Sequence, residues 1–294
     1  MKLRMMLVAL LAAASSVCLT AEAQFTATQG DAGVVIKFNG KEFTRCLPLH
    51  QNTPILYPII GPTGKPMTRP LDGGGDHVHH SSLWFTHGDV NGVDFWHLGG
   101  LIDQEVLSAE GGKQAVVKTR SIWKTDKDKS KAKELGEEMR TMTFGADDKA
   151  RWIDIDLTFT AMTDVTFGRT KEGSFGVRIW PKATVKEGGT ILNSEGQKNA
   201  DAWSKPAAWV DYHGDHDGET LGIAILGHPS SFRFPTPWHV RTYGLFTANP
   251  FMKQELKLKS GEKFTLRHRV IFHQGDTEAA DIAGRYAEYS KLKK

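Results

Sequence analysis

Short runs of β-branched and aromatic residues, separated by turn signals, recur through most of the chain and constrain its fold more than any other feature. In Trp152–Thr160, Ile153, Ile155, Leu157 and Phe159 alternate with other residues, as in a half-buried strand. The pattern predicts an all-β protein with about fourteen short strands, a large antiparallel two-sheet sandwich. The other predicted strands are Gly33–Phe38, Glu42–Leu47, Ile55–Ile60, Leu83–Phe85, Leu101–Ala109, Gln114–Trp123, Met139–Phe144, Phe175–Trp180, Ala207–Tyr212, Leu221–Leu226, Val240–Thr247 and Phe264–His273.

One segment, Thr277–Leu292, has helical spacing, with Ile282, Tyr286 and Tyr289 on one side and Thr277 as the candidate cap. The charged stretch Lys124–Glu138 lacks apolar periodicity and is predicted to be an exposed loop. Predicted strands of similar composition continue on both sides of this loop, so it does not mark a domain boundary. Residues 24–294 are therefore predicted to form a single domain.

The first 23 residues have the composition of a secretory signal peptide. Lys2 and Arg4 precede an apolar run, and small residues end the segment at Ala21-Glu22-Ala23. The apolar run is too short to span a membrane, and no later segment is long enough. We expect cleavage near Ala23 and a periplasmic or secreted mature protein.

Composition excludes several classes of function. The formal net charge is +3, without the basic stripe of nucleic-acid binders, so no nucleic-acid partner is expected. Neither a Rossmann fingerprint nor a Walker loop is present, which argues against a nucleotide cofactor. Cleavage would leave Cys46 as the single cysteine and no intramolecular disulfide. The sequence leaves the oligomeric state open.

Chemistry is concentrated in residues 72–97, which hold five of the twelve histidines. If residues 77–87 are extended, His77, His79 and His87 share one face and His80 lies on the other. His77 and His79 are then candidate ligands of one divalent metal ion, the candidate cofactor, with a further ligand still required. The alternative is hydrogen bonding to loop backbone and sugar hydroxyls. His80 is a candidate general acid or base.

Two further residues are candidate catalytic groups. Two prolines restrict the backbone just before His239. Glu172 lies on a glycine-containing turn before a strand. The alternatives are a histidine packed beside Trp238 and a solvated glutamate.

Substrate binding is predicted for six residues. Arg178, Arg241 and Tyr243 could form a wall that binds hydroxyl and carboxylate groups, and Trp84 could stack on a pyranose. His87 and Asp89 are assigned to the same role. A second polar stretch, residues 211–217 (DYHGDHD), could bind metal through His213 or His216, or could be a solvated loop.

These motifs resemble a bacterial family labelled PmoA-like. The similarity lies in residues 56–70 (LYPIIGPTGKPMTRP), 76–80 (DHVHH), 83–96 (LWFTHGDVNGVDFW), 172–178 (EGSFGVR), 209–212 (WVDY), 228–229 (HP), 237–246 (PWHVRTYGLF) and 249–251 (NPF). Ser81 departs from the pattern, in which arginine is expected. The resemblance implies a secreted β-sandwich associated with carbohydrate breakdown, similar in outline to galactose-mutarotase-like proteins.

Three functions remain open at this level. The favoured one is an exported carbohydrate-processing enzyme, an epimerase, lyase or hydrolase of a sugar or oxidised sugar, with a small-molecule or oligosaccharide substrate. The second is a non-catalytic sugar-binding protein, and the third is the metal-dependent redox enzyme that the family label suggests. The histidine cluster favours the first, because binding modules usually carry fewer titratable groups.

Overall fold

The computed structural model describes residues 24–72 and 76–294, in which two eight-stranded antiparallel sheets pack face to face. The predicted signal peptide and Gly73–Gly75 lie outside the described residues. The strands are β1 Phe25–Gly30, β2 Gly33–Phe38, β3 Lys41–His50, β4 Thr53–Ile59, β5 Leu83–His87, β6 Leu101–Glu110, β7 Ala115–Lys124, β8 Glu134–Ala146, β9 Ala150–Ala161, β10 Val165–Phe167, β11 Gly173–Arg178, β12 Thr190–Asn193, β13 Trp209–His216, β14 Glu219–Gly227, β15 Trp238–Val240, β16 Leu245–Ala248, β17 Leu256–Leu258 and β18 Lys263–Gln274.

The first sheet has the strand order β1-β2-β3-β4-β5-β11-β16-β15, and the second has β12-β13-β14-β18-β9-β8-β7-β6. Strands β10 and β17 form a separate ribbon. The helix α1 spans Ile282–Tyr289, and short 3₁₀ helices cover Pro181–Ala183, Val185–Glu187 and Asn199–Ala202. The predicted all-β, two-sheet fold with one C-terminal helix is confirmed.

The main core lies between the two sheets. Phe43 of the first sheet packs edge-on against Phe144 and Phe272 of the second, and Phe85 packs in the same way against Trp123. Such aromatic contacts, together with buried aliphatic side chains from both sheets, provide most of the apolar burial. Two smaller clusters lie apart from the main core, one of them packed with α1.

Three local predictions need correction. The run Val240–Thr247 is not one strand, because Gly244, with φ of +102°, lies in a turn between β15 and β16. Asp281, not Thr277, caps α1 by accepting from Gly284 N. The predicted loop Lys124–Glu138 is shorter, because β7 runs to Lys124 and β8 begins at Glu134. Its last residue, Glu138, is a fully buried strand residue that accepts from Trp123 and Arg140.

None of the helices in the described ranges is long and apolar enough to cross a membrane.

Candidate functional site

A cavity of about 220 Å³ contains most of the residues that the sequence singles out. It lies beside the smallest hydrophobic cluster, formed by Ile55, Trp84, Trp96 and Leu245. Its size is below the roughly 300 Å³ at the lower end of typical ligand pockets, so the cavity suits a small ligand. The lining residues are His77, His79, His80, His97, Lys171, Glu172, His239, Arg241 and Tyr243.

Strand alternation explains why the cavity forms on the outer face of the first sheet. In β5, Phe85 belongs to the main core, so its neighbour Trp84 points to the opposite face. In β15, Trp238 and Val240 enter the main core, and His239 between them faces the cavity. The outer face of the sheet therefore carries both the aromatic cluster and His239.

The histidine loop itself departs from the sequence prediction. Residues 77–82 are not extended: His77 and Ser82 have φ of 48° and 61°, and His80 N donates to His77 O over 2.9 Å. His77, His79 and His80 therefore all line the cavity, whereas His87 does not. The predicted grouping of His77, His79 and His87 against His80 is wrong, because strand alternation begins only at Leu83.

Arg69 holds this loop in place and was missed by the sequence analysis. Its Nη1 donates to Asp76 O over 2.9 Å and contacts Asp76 Oδ1 at 2.6 Å. Its Nη2 donates to His77 O over 2.8 Å and to His80 O over 3.3 Å. Such a fork of donors suits a turn whose carbonyl groups have no strand partner. The buried arginine therefore positions the loop rather than the substrate.

Arg178, predicted to bind substrate, lies behind His80. Its Nη1 donates to His80 Nδ1 over 3.0 Å, and its Nη2 lies 3.3 Å from Asp76 Oδ2. The His80 ring stacks on Trp84 at a centroid distance of 5.7 Å. Burial is the main cause that holds the pKa of His80 far below its usual range, and electrostatic interaction with neighbouring His79 and Arg178 lowers it further. This imidazole is therefore neutral, and the chemistry open to it is donation from Nε2.

Two other imidazoles in the cavity are also neutral near pH 7. Burial lowers the pKa of His79 to about 4, assisted by the neighbouring His97 and His77. Burial likewise lowers the pKa of His239 to about 4, against the opposing effect of Glu172. His79 Nε2 and His239 Nδ1 are buried, and neither has a hydrogen-bond partner in the described chain. Unpaired buried nitrogens cost free energy, and these two leave hydrogen-bonding capacity that the described protein groups do not use.

Glu172 is the single carboxylate among the described residues that line the cavity. It contacts the ammonium group of Lys171 and retains 24% of its side-chain exposure. Tyr243 forms the facing wall, where its ring stacks on His77 at 5.4 Å and lies 5.6 Å from the Arg241 guanidinium carbon. The cavity thus combines one carboxylate, neutral imidazoles and two cationic donors, Lys171 and Arg241.

Besides Arg178, three more of the six predicted substrate-binding residues lie outside the cavity lining. Trp84 is 1% exposed and supports the His80 ring, so neither indole face is free for a sugar. His87 is fully buried, bonds Gly168 O at 2.8 Å and packs on Phe251. Asp89 closes a turn by accepting from Gly92 N over 2.9 Å.

His97 and Lys171 join the cavity although the sequence analysis assigned them no role. The density of histidines was a usable signal for His97, which bonds Asp94 at 2.7 Å and packs against His79 at 4.4 Å. For Lys171 there was no signal beyond its position next to Glu172.

The second polar stretch forms a separate and closed network. Asp211 is fully buried and accepts from His273 Nε2 over 2.9 Å and from His213 Nδ1 over 3.0 Å. Thr277 Oγ1 donates to the same carboxylate over 2.5 Å, which joins the segment before α1 to the sheet. We call these four residues the Asp211 cluster. His216 lies elsewhere, bonded to Pro66 O and stacked on Trp180.

Within residues 24–72 and 76–294, no three histidine, cysteine or acidic side chains are arranged to hold a metal ion. The ring centroids of His77 and His79 lie 5.8 Å apart.

Several solved structures of carbohydrate-active proteins are similar to the chain at low identity. A family 36 α-galactosidase from Geobacillus stearothermophilus, in complex with stachyose, has 11% identity and a TM-score of 0.40, over 86% of this chain and 40% of that one. A family 97 glycoside hydrolase from a Pseudoalteromonas strain, in complex with acarbose, has 10% identity and a TM-score of 0.31, over 85% and 34%. A protein from Klebsiella pneumoniae assigned as an aldose 1-epimerase has 11% identity and a TM-score of 0.31, over 66% and 59%.

The chain thus spans between about a third and three-fifths of the length of these three proteins. No curated protein matches it in sequence. A family model does match, over residues 33–287, and its description is a family of unknown function. The chain belongs to this family, DUF6807.

Proposed function

We propose that the protein is an exported enzyme that moves a proton on a sugar or an oxidised sugar, with the histidine-lined cavity as its active site. The observation that carries this proposal is the lining itself. A small cavity that gathers one carboxylate, unpaired neutral imidazoles and cationic donors has the parts of acid/base catalysis.

Each part has a chemical role in the proposal. Glu172 is the base that takes a proton from a substrate C–H or O–H bond. His239 is neutral, and it lies close enough to Glu172 for that carboxylate to influence its pKa. It is a second group that can pass a proton. His80 and Arg241 donate hydrogen bonds to the substrate oxygen that gains negative charge as the proton leaves. Where the bond is a C–H bond next to a carbonyl or carboxylate group, return of a proton to the opposite face of that carbon gives epimerisation, and loss of a leaving group from the neighbouring carbon gives elimination.

Among the three enzyme classes, epimerase and lyase fit the lining better than hydrolase. Most glycoside hydrolases need two carboxyl groups, separated by about 5–10 Å across the scissile bond. The described lining has only Glu172. Asp76, the carboxylate of the histidine loop, is already paired with Arg69, Arg178 and His77.

Hydrogen–deuterium exchange at substrate carbons tests the proposal directly. Neutral aldoses, uronic acids and keto-sugars are incubated with the protein in D₂O and followed by proton NMR. We expect exchange or conversion of at least one sugar, slowed about 10²- to 10⁴-fold in Glu172→Gln. Glu187→Gln, an exposed substitution outside the cavity, should leave the rate unchanged. Saturable sugar binding without exchange or conversion would support the sugar-binding protein instead.

A metal-assisted form of this chemistry stays a prediction for His77 and His79. The observation in its favour is the unpartnered Nε2 of His79. Elemental analysis of the purified protein should find one divalent ion per chain, absent in the His77→Ala/His79→Ala double variant. His213→Ala, in the Asp211 cluster, is the matched control and should retain the ion. A metal-free wild type whose melting temperature does not rise with added divalent ions would contradict the prediction.

A further inference from the structure

We infer that the cavity selects a sugar acid, whose carboxylate is received by the guanidinium of Arg241 and by Nε2–H of His80. The inference rests on the proposed function for placing a sugar in the cavity. It adds the class of sugar and the two residues that recognise its charge.

Arg241 supplies a cation that the described chain leaves without a carboxylate partner. Lys171 contacts Glu172 and so offsets the one negative charge of the lining. Arg241 is partly buried and lies against the Tyr243 ring, at 5.6 Å from the guanidinium carbon to the centroid. A planar guanidinium in such a site binds a carboxylate through two parallel hydrogen bonds. A neutral sugar would leave this charge unpaired.

The layer behind the cavity adds to the positive charge. Arg69 and Arg178 are each 6% exposed and share one carboxylate, that of Asp76, which is 54% exposed at its side chain. Two buried cations therefore face one partly solvated anion. The nearby Asp94 is engaged with His97 at 2.7 Å. A cleft whose walls carry more positive than negative charge attracts anionic ligands.

Hydrogen-bond chemistry fixes which nitrogen of His80 carries the proton. A guanidinium only donates, so His80 Nδ1, 3.0 Å from Arg178 Nη1, is the acceptor. The proton of the neutral ring is then on Nε2, for which the described residues provide no partner. His80 therefore offers the cavity an N–H donor, which suits an anionic oxygen of the ligand. Arg178 acts as its positioning residue.

Calorimetric titration with paired ligands tests the substrate class. D-Glucuronate is compared with D-glucose, and D-galacturonate with D-galactose, at low and high salt. We expect the acids to bind about 10- to 100-fold more tightly than their neutral parents, the range for hydrogen bonds to charged groups. Arg241→Gln should remove this preference and Arg241→Lys should keep part of it. Arg169→Gln, which removes the same charge from an exposed position outside the cavity, should leave it intact.

Imidazole ¹⁵N NMR of the ligand-free protein tests the donor. His80 should show the Nε2–H tautomer, and Arg178→Gln should give a mixture of tautomers. A Nδ1–H tautomer in the wild type, or equal binding of acids and neutral sugars, would overturn the inference. Conversion of neutral sugars only would overturn it while the proposed function stands. Arg241-dependent binding of acids without conversion of any sugar would support it while the proposed function fails.

Discussion

The histidine-lined cavity and the Asp211 cluster are both rich in histidine, yet the structure uses the imidazoles in opposite ways. In the Asp211 cluster, His213 and His273 both donate to one buried carboxylate, which also accepts from Thr277. In the cavity, nitrogens of His79 and His239 have no partner among the described residues. A closed network stabilises a fold, whereas unpaired groups around a space are suited to a ligand.

The comparison teaches that histidine density does not by itself identify a site. Both stretches, residues 76–80 and 211–217, are candidates from sequence. What separates them is a carboxylate at the centre of the group: Asp211 is fully buried between its imidazoles, whereas Asp76 is half exposed and directed to two arginines. Substitutions in the two regions should therefore affect different properties.

The largest expected effect is on stability in the Asp211 cluster. Asp211→Ala leaves His213, His273 and Thr277 without their acceptor, and removal of one partner from a buried charged network typically costs about 3–5 kcal/mol. Denaturant unfolding should show this loss, and Asp211→Asn should show a smaller one. Sugar binding at a temperature where the variant is folded should not change. A cost below about 1 kcal/mol would show that the cluster is not a closed structural network.

Substitution of Arg69 should give the next largest effect, because this residue contributes both to stability and to the conformation of the ligand-binding loop. Arg69→Met removes the hydrogen bonds to Asp76, His77 and His80 and should cost about 2 kcal/mol of unfolding free energy, within the range for bonds to charged groups. It should also weaken ligand binding, since the loop that carries three cavity histidines loses its anchor. Arg45→Met, which removes an exposed pair with Glu42, is the control and should change neither property. Weakened stability with unchanged binding would show that the loop holds its conformation without Arg69.

The pH dependence of stability sharpens the comparison further. The pKa of His239 is about 4 in the folded protein and near 6.5 in the unfolded chain. Between pH 6.5 and pH 4, therefore, the unfolded state binds a proton at this residue and the folded state does not. Stability contributed by the neutral ring is therefore present above pH 6.5 and lost as the pH falls toward 4. His239→Gln should reduce the fall in unfolding free energy between pH 7 and 4.5 by about 2 kcal/mol.

Other buried histidines, His268 among them, also contribute to the fall, so the measured quantity is the difference between variant and wild type. His97→Gln, which removes a half-exposed imidazole, serves as the control. Parallel pH curves for His239→Gln and wild type would contradict the assignment of a buried neutral ring.

The smallest effect is expected at Asp89. In the structure its carboxylate accepts from Gly92 N and closes a turn outside the cavity lining. Asp89→Ala should cost about 1 kcal/mol of unfolding free energy and leave sugar affinity unchanged. A clear loss of affinity measured by titration calorimetry, without a loss of stability, would return Asp89 to the substrate-binding role that the sequence predicts.

Much of the fold was predictable, because strand formation follows local rules. The alternation of Ile153, Ile155, Leu157 and Phe159 identified β9, and turn signals separated most of the predicted strands. The cavity was predicted in part: His77, His79, His80, Glu172, His239, Arg241 and Tyr243 all line it. Sequence could not distinguish these cavity residues from Trp84, His87 and Asp89, which lie outside the lining, since neighbours in sequence can point to opposite faces of a sheet.

The sequence alone determined that the chain forms antiparallel strands with one terminal helix, because periodicity and turn chemistry act over a few residues. It also determined where titratable groups are dense. Tertiary structure decided which of these groups meet. The turns at His77 and Ser82 set the directions of the loop histidines, and pairing across β5, β11, β16 and β15 brings Glu172 and His239 to one cavity. Contacts between residues more than sixty positions apart depend on sheet order, which no local pattern contains.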